Sequence, residues 1–177
     1  SLCTAAAAKL LAASRGVPLA EREEYFVAGL MHDIGKIPLN HLFADAYHEA
    51  VVQAQSSGRG MRCEENDSIG VDHCRVGHLI ARKWQLSPAL TAALSDHHTH
   101  SETVSEPISL VDAVALADTI AHRMGAGTPG GVSLDGNGQS RLQMHWDAAG
   151  HQLAQLSAAV EEEIEKAKVF LEIAGRN

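Results

Sequence analysis

The stretch Ala28-Gly-Leu-Met-His-Asp-Ile-Gly-Lys-Ile37 places His32 beside Asp33 at the end of an apolar helical segment. Imidazole and carboxylate groups both ligate divalent cations, so two metal ligands stand at one point of the chain. Either group is costly to bury unless it is paired or holds a metal. The dipeptide therefore predicts a metal site. Lys36 lies on the same side of the helix and is either a phosphate contact or a solvated helix end.

Four more candidate ligands lie on other predicted helices, each on a face that also carries apolar residues. They are His73, His97, His98 and Asp118. A lone buried histidine is more often hydrogen-bonded to a carbonyl than bound to a metal, and that alternative stays open for His73. Together, however, these residues predict one shared ion site between several helices.

Two of these assignments have alternatives. Adjacent residues of a helix point about 100° apart, so His97 and His98 would serve a pair of ions, or one ion and one substrate contact. Asp112 competes with Asp118, because their helix is apolar on nearly every side. The alanines near Asp118 allow close packing there, and they favour Asp118 as the ligand.

The fold is predicted to be all-α, a multi-helix bundle around a central metal site. Helical periodicity runs through the chain, and we find neither an alternating strand pattern nor an internal repeat. Pro38 is expected to end the second helix and Asn40 to cap the third, with a loop near 56–61 and a glycine-rich loop from 126 to about 140. Helices are predicted near 2–15, 20–34, 40–55, 69–84, 88–98, 106–124 and 147–174.

Length and charge limit the classes of protein that fit. With 177 residues, the chain is expected to form one domain over 1–177, and its start at Ser1 suggests the C-terminal part of a longer protein. The formal net charge of -8 argues against a nucleic-acid-binding surface, and no apolar run is long enough for a membrane span. Three cysteines without Cys-x-x-Cys spacing predict neither a disulfide framework nor a thiolate zinc site, so a cytoplasmic location is expected.

These residues resemble the HD-domain superfamily of metal-dependent phosphohydrolases and, more narrowly, its HDOD group. The segment from Glu65 to His98 carries the pattern of that group: a glutamate before a glycine and a histidine, Val-Gly, a tryptophan near Leu-x-Pro, and a final His-His. Ala117-Asp118 matches the late aspartate of the family. The resemblance covers most of the chain and implies an HD-type helical domain.

The chain departs from the family pattern in two places. Family members usually carry a first histidine just before the serine that opens the helix occupied here by Ser1-Leu2-Cys3-Thr4, and they commonly have a helical lobe upstream. No Gly-Tyr-Pro follows His98, as it does in the related HD-GYP phosphodiesterases. The resemblance therefore does not extend to cleavage of cyclic di-GMP.

The resemblance also implies a role for each of these residues. His32, Asp33 and Asp118 would hold a first divalent ion, Asp33 would bridge to a second, and His73, His97 and His98 would complete the second position. Asp33 and Lys36 would act in catalysis, Lys36 by holding a phosphate oxygen while an activated water attacks phosphorus. Imidazole and carboxylate ligands suit iron, manganese, nickel or zinc, as one or two ions.

Two functions from different classes remain open at this stage. The first is a metal-dependent phosphohydrolase or phosphodiesterase acting on a small phosphorylated ligand such as a nucleotide. The second is a regulatory HDOD module of signal transduction that binds a ligand or a protein partner, for instance an upstream helical lobe, without turnover. Fold alone does not separate them.

Overall fold

All regular structure in the described part of the chain is helical. The computed structural model describes residues 1–99, 107–125 and 158–165, and no strand occurs in these ranges. The all-α prediction is therefore confirmed. The helices are α1 (Leu2–Ser14), α2 (Arg22–Met31), α3 (Lys36–Leu42), α4 (Ala44–Ser57), α5 (Met61–Ile69), α6 (His73–Lys83), α7 (Pro88–Asp96) and α8 (Leu110–Arg123), and residues 158–165 are helical as well.

Side-chain caps fix the starts of the three later helices. The Ser87 hydroxyl accepts a hydrogen bond from the Leu90 N–H, and Pro88 occupies the first helical position, as the sequence predicts. Asp72 caps α6 and Ser109 caps α8 in the same way. These caps satisfy N–H groups that have no partner inside the helix.

The region between α2 and α6 differs from the prediction. Pro38 does not end a helix: it lies in the first turn of α3, where its missing N–H costs nothing. Asn40 lies inside α3 instead of capping a helix, and α4 begins only at Ala44. The predicted loop near 56–61 shrinks to Gly58–Gly60, because α5 begins at Met61.

Small side chains let α1 pack closely on α2 and α8. Ala5, Ala7, Ala8 and Ala12 of α1 are fully buried, and the core they share with α8 includes Tyr25 of α2. The Tyr25 hydroxyl donates a 2.6 Å hydrogen bond to the carbonyl of residue 108, just before α8. This core brings the C-terminal end of α2 close to α8.

Gly29 sets the distance between α1 and α2. A Cβ at this position would lie 2.7 Å from the Ala5 Cα and 2.7 Å from the Thr4 carbonyl oxygen. Both atoms belong to the backbone, so neither can move away without shifting a whole helix. Only glycine allows this approach.

We predict that Gly29→Ala lowers the free energy of unfolding by about 2 kcal/mol or more, because the added methyl group overpacks a backbone contact. The measurement is urea unfolding followed by circular dichroism. Gly60→Ala is the control: a Cβ there meets no atom within 4 Å, so its change should stay within about 1 kcal/mol. Equal losses for the two variants would contradict the close approach of α1 and α2.

Several sequence predictions lie beyond what this structure tests. No helix in the described ranges combines the length and apolar character needed to cross a membrane. The glycine-rich loop from 126 to about 140 lies outside the described residues, as does most of the predicted 147–174 tail, of which 158–165 is helical. One domain over 1–177 and a cytoplasmic location stay predictions.

Candidate metal centre

The six predicted ligand side chains come together in one buried place between α2, α6, α7 and α8. Here they are called the His/Asp cluster: His32, Asp33, His73, His97, His98 and Asp118. Each lies within 4 Å of at least one other member through a ring nitrogen or a carboxylate oxygen, or in ring contact. His32, His73 and His97 are at most 1% exposed. Sequence positions from four separate segments therefore meet at one point.

The turn after α2 brings the His-Asp dipeptide against α6. α2 ends at Met31, His32 is its C-cap, and the chain then turns toward α3. A Cβ at Gly35 would collide with the His73 carbonyl oxygen and would lie 2.8 Å from the Gly77 N. The backbone of this turn therefore rests directly on the first turns of α6. This contact places Asp33 beside His73.

Hydrogen bonds fix the orientation of three imidazole rings. The Nδ1–H of His32 donates to the Gly29 carbonyl at 2.8 Å, and that of His97 donates to the Ala93 carbonyl at 3.0 Å. The Nδ1–H of His73 donates to a Glu65 carboxylate oxygen at 2.6 Å. With Nδ1 committed in each ring, Nε2 points into the cluster, which is the arrangement that metal-ligating histidines adopt.

Asp33 lies at the centre of the cluster and faces two groups of nitrogens. Its Oδ2 lies 3.3 Å from His32 Nε2 and 2.7 Å from Lys36 Nζ. Its Oδ1 lies 3.5 Å from His73 Nε2 and 3.9 Å from His97 Nε2. A carboxylate in this position can bridge two cations, one on each oxygen.

The donor atoms of the cluster fit divalent metal ions. His32 Nε2 and Asp33 Oδ1 are buried without a hydrogen-bond partner, and His32 Nε2 lies 3.3 Å from Asp118 Oδ1. Buried polar atoms normally have a hydrogen-bond partner, so these two atoms, each beside another ligand atom of the cluster, fit a bound cation. Among the residues that the structure describes, two groups have all their ligand atoms within 4.8 Å: His32, Asp33 and His97, and His73, Cys74, His97 and His98.

Comparison with known proteins relates the chain to a protein family. A sequence model of the HDOD domain matches residues 1–100, more than half of the chain. The chain belongs to the HDOD family. No curated protein matches the chain.

Two solved structures share the fold of this HDOD domain. One is an HDOD domain protein of unknown function from Geobacter sulfurreducens, with a TM-score of 0.66 and 22% identity over 92% of this chain. The other, from Shewanella amazonensis SB2B, is provisionally named a phosphohydrolase, with a TM-score of 0.60 and 24% identity over 93% of this chain. The chain spans 60% and 56% of their lengths.

In the His/Asp cluster of the HDOD domain, the pKa values of His32 and the two carboxyl groups depend on one another. Burial alone would lower the pKa of His32, but the charges of Asp33 and Asp118 outweigh burial and raise this pKa to about 9. Burial alone would raise the pKa of both carboxyl groups, yet the charged His32 holds the pKa of Asp33 well below its usual range and also lowers that of Asp118. Without a metal, a proton on His32 thus neutralises part of the acidic charge.

The His-His pair behaves in the opposite way. Burial, reinforced by the charges of His32 and His73, lowers the pKa of His97 to about 3. Burial also lowers the pKa of His98, with His97 and His73 adding to the effect. Both rings are therefore neutral near pH 7, which is the form of imidazole that ligates metal ions.

Glu65 is a candidate functional residue that was not predicted as part of the site. It is fully buried on α5, and its Oε2 accepts from both the backbone N–H of His73, at 2.9 Å, and the ring Nδ1–H, at 2.6 Å. In the sequence, Glu65 is only part of the family pattern, because the helix that carries it, α5, was not predicted. The signal available in the sequence was an acidic residue a short distance along the chain before His73, a candidate metal ligand.

Cys74 is the second residue that the sequence analysis missed. It follows His73 on α6, is 2% exposed, and its Sγ lies 4.0 Å from His97 Nε2. Burial raises the pKa of the Cys74 thiol, so the thiol is protonated when no metal is present. The absence of Cys-x-x-Cys spacing had argued against any thiolate ligand, but a single cysteine reaches the cluster through the fold.

We predict that Glu65→Gln weakens divalent-metal binding about 10- to 100-fold, because His73 loses the carboxylate that orients its ring and increases its basicity. The measurement is zinc titration by isothermal calorimetry. Glu64→Gln is the matched control, since Glu64 is buried on the same helix but accepts from Ser57 at 2.9 Å, away from the cluster. Equal affinities for the parent and Glu65→Gln would remove the orienting role.

We also predict a pH dependence of the metal-free protein. The raised pKa of His32 makes its contribution to stability complete below its ordinary value of 6.5 and progressively lost as the pH rises to about 9. Between about pH 7 and about pH 9, this loss should be on the order of 2 kcal/mol. Urea unfolding in the presence of a chelator measures it.

The comparison for this prediction is His32→Gln, whose free energy of unfolding should fall less than that of the parent over the same pH range. His48→Gln, which changes an exposed histidine of α4, should follow the parent. Parallel pH curves for the parent and His32→Gln would show that His32 does not hold the proton.

Proposed function

We propose that this HDOD domain binds one or two divalent metal ions at the His/Asp cluster and hydrolyses a small phosphorylated compound, such as a nucleotide. The position of Asp33 carries the proposal. Its two oxygens face separate sets of nitrogens, at 3.3 Å for His32 and 3.5 Å for His73, which suits a carboxylate shared by two cations. Paired metal ions with a bridging ligand are typical of enzymes that cleave phosphoesters.

One accessible side of the cluster in the described residues is formed by Asp33 and Lys36. The Asp33 side chain is 17% exposed and the Lys36 side chain 20%, whereas His32 and His73 are almost completely enclosed. A ligand that approaches on this side meets the carboxylate and the ammonium group. Lys36 would supply a positive charge for phosphoryl oxygens on that side.

The proposed ligands divide as the resemblance to the family implies. His32, Asp33 and Asp118 would hold one ion, and His73, His97 and His98 the other. Divalent ions at these positions would supply Lewis acidity and an activated water for attack on phosphorus. The net charge of -8 favours a small substrate over a nucleic-acid chain, which needs many cationic contacts.

The similarity to the Shewanella amazonensis protein supports the hydrolase proposal at the level of fold, since that protein is provisionally named a phosphohydrolase. Iron, manganese, nickel and zinc all suit imidazole and carboxylate ligands.

A second candidate function is a regulatory module of signal transduction that binds a partner without turnover. Ile37 and Leu42 of α3 are each 69% exposed, and Phe43 directly after them is 48% exposed. Exposed apolar side chains that form a contiguous patch are typical of surfaces that bind another protein. An ion at the cluster would then serve structure or ligand binding.

Metal content and turnover test the proposal together. We expect the purified chain to retain a divalent ion after gel filtration and to hydrolyse a phosphodiester or nucleotide from a panel in a metal-dependent way. Asp33→Asn should reduce turnover at least about 100-fold, because the proposed bridging charge is lost. Elemental analysis and phosphate release are the two measurements.

His48→Ala is the control for this experiment, since the exposed His48 lies on α4, outside the cluster, and both measurements should match the parent. Metal binding without turnover on the whole panel would favour the regulatory function. A protein that takes up no divalent ion would overturn both the metal site and the hydrolase.

A further inference from the structure

Cys74 occupies a position that hydrophobic packing alone does not explain. It is 2% exposed at the second position of α6, directly after the fully buried His73. The start of this helix is held firmly, because Asp72 accepts from the Arg75 N–H at 2.8 Å and from Arg62 Nε at 3.1 Å. The cap therefore fixes the backbone that carries both His73 and Cys74.

The thiol lies at the spacing of a metal ligand. Cys74 Sγ is 4.0 Å from His97 Nε2, and His73 Nε2 is 3.1 Å from His98 Nε2. All four ligand atoms lie within 4.8 Å of one another. Ligand atoms around a tetrahedral zinc ion lie about 3.5 Å apart, given zinc bonds of about 2.0–2.3 Å, so a small contraction would bring these atoms to ligand spacing.

A separate observation points to a cation at the same place. Asp33 Oδ1 is buried, has no hydrogen-bond partner and lies 3.5 Å from His73 Nε2. The Nδ1 atoms of His73 and His97 are already used by Glu65 and by the Ala93 carbonyl. Their Nε2 atoms therefore lie beside the thiol and the carboxylate, and a cation would satisfy this set of ligand atoms.

We propose that the Cys74 thiolate is a ligand of the second cation position, together with imidazoles of His73, His97 and His98. This inference rests on the metal-binding part of the proposed function and refines it. When the cation binds, the sulfur–metal bond forms and the thiol proton passes to solvent, with no change of oxidation state.

The thiolate makes the two cation positions chemically different. The position of His32, Asp33 and Asp118 offers two carboxylates and one imidazole, which suits manganese or iron. A thiolate with imidazoles suits zinc, or cobalt as its spectroscopic substitute. The second cation position is therefore selective for zinc, and a preparation with mixed metals would carry different ions at the two positions.

Cobalt titration of the full chain tests this inference. We expect the parent protein to show both the visible bands of bound Co²⁺ and a near-ultraviolet charge-transfer band from the thiolate. Cys74→Ser should lose the charge-transfer band, keep visible bands, and bind zinc at least about tenfold more weakly, the lower end of what loss of an outer-shell partner costs. Its manganese affinity should change less.

The other two cysteines supply matched controls. Cys63 is exposed on α5, and Cys3 is buried in the hydrophobic core of α1. Cys63→Ser and Cys3→Ser should both retain the charge-transfer band. Visible Co²⁺ bands without a charge-transfer band in the parent would overturn the thiolate ligand and leave metal binding intact. An absence of all Co²⁺ bands would overturn the metal site itself.

X-ray absorption of the zinc-loaded parent tests the proposal even if the Cys74→Ser variant fails to fold. A sulfur ligand at about 2.3 Å would support the proposal, whereas nitrogen and oxygen ligands alone at about 2.0–2.1 Å would refute it. This measurement requires no substitution.

Discussion

The burial of one carboxylate, that of Asp33, controls the arrangement of the whole site. An ionised carboxylate away from water costs several kcal/mol unless cations and hydrogen-bond donors surround it. Here His32 and Lys36 lie 3.3 Å and 2.7 Å from Oδ2, while His73 lies 3.5 Å from Oδ1. His32 and Lys36 lie beside Oδ2 and leave Oδ1 without a hydrogen bond. The negative charge of Asp33 is therefore only partly compensated. A divalent cation would complete that compensation and bind several helices at once.

Two glycines allow this carboxylate to reach its partners. Gly29 lets α1 approach α2, and its carbonyl also orients the His32 ring. Gly35 lets the turn after Asp33 touch the first turns of α6, where a side chain would collide with the backbone of His73. The same short segment therefore supplies two of the candidate ligands and the absence of side chains that lets them approach the others. The His-Asp dipeptide and both close packing positions lie within the seven residues 29–35.

The sequence predicted which side chains come together better than it predicted the segments between them. The six residues of the His/Asp cluster were identifiable because ionisable groups on apolar helix faces are unusual. α5 was missed because its sequence is mostly polar, and Glu65 was missed with it. The prediction that His97 and His98 diverge assumed a continuing helix. Because α7 ends at Asp96, the two ring centroids lie 4.2 Å apart and both rings contact His73.

Exposure divides the cluster into an inner and an outer part. The rings of His73 and His97, with Glu65 behind them, are at most 1% exposed, whereas Asp33 and Lys36 meet solvent. A cation at the inner position would fix the charge and orientation of Asp33. A phosphorylated ligand would meet the outer position beside Lys36. Under this arrangement, an inner cation would set the shape of the site, and the outer edge beside Lys36 would be where a hydrolase and a regulatory module differ.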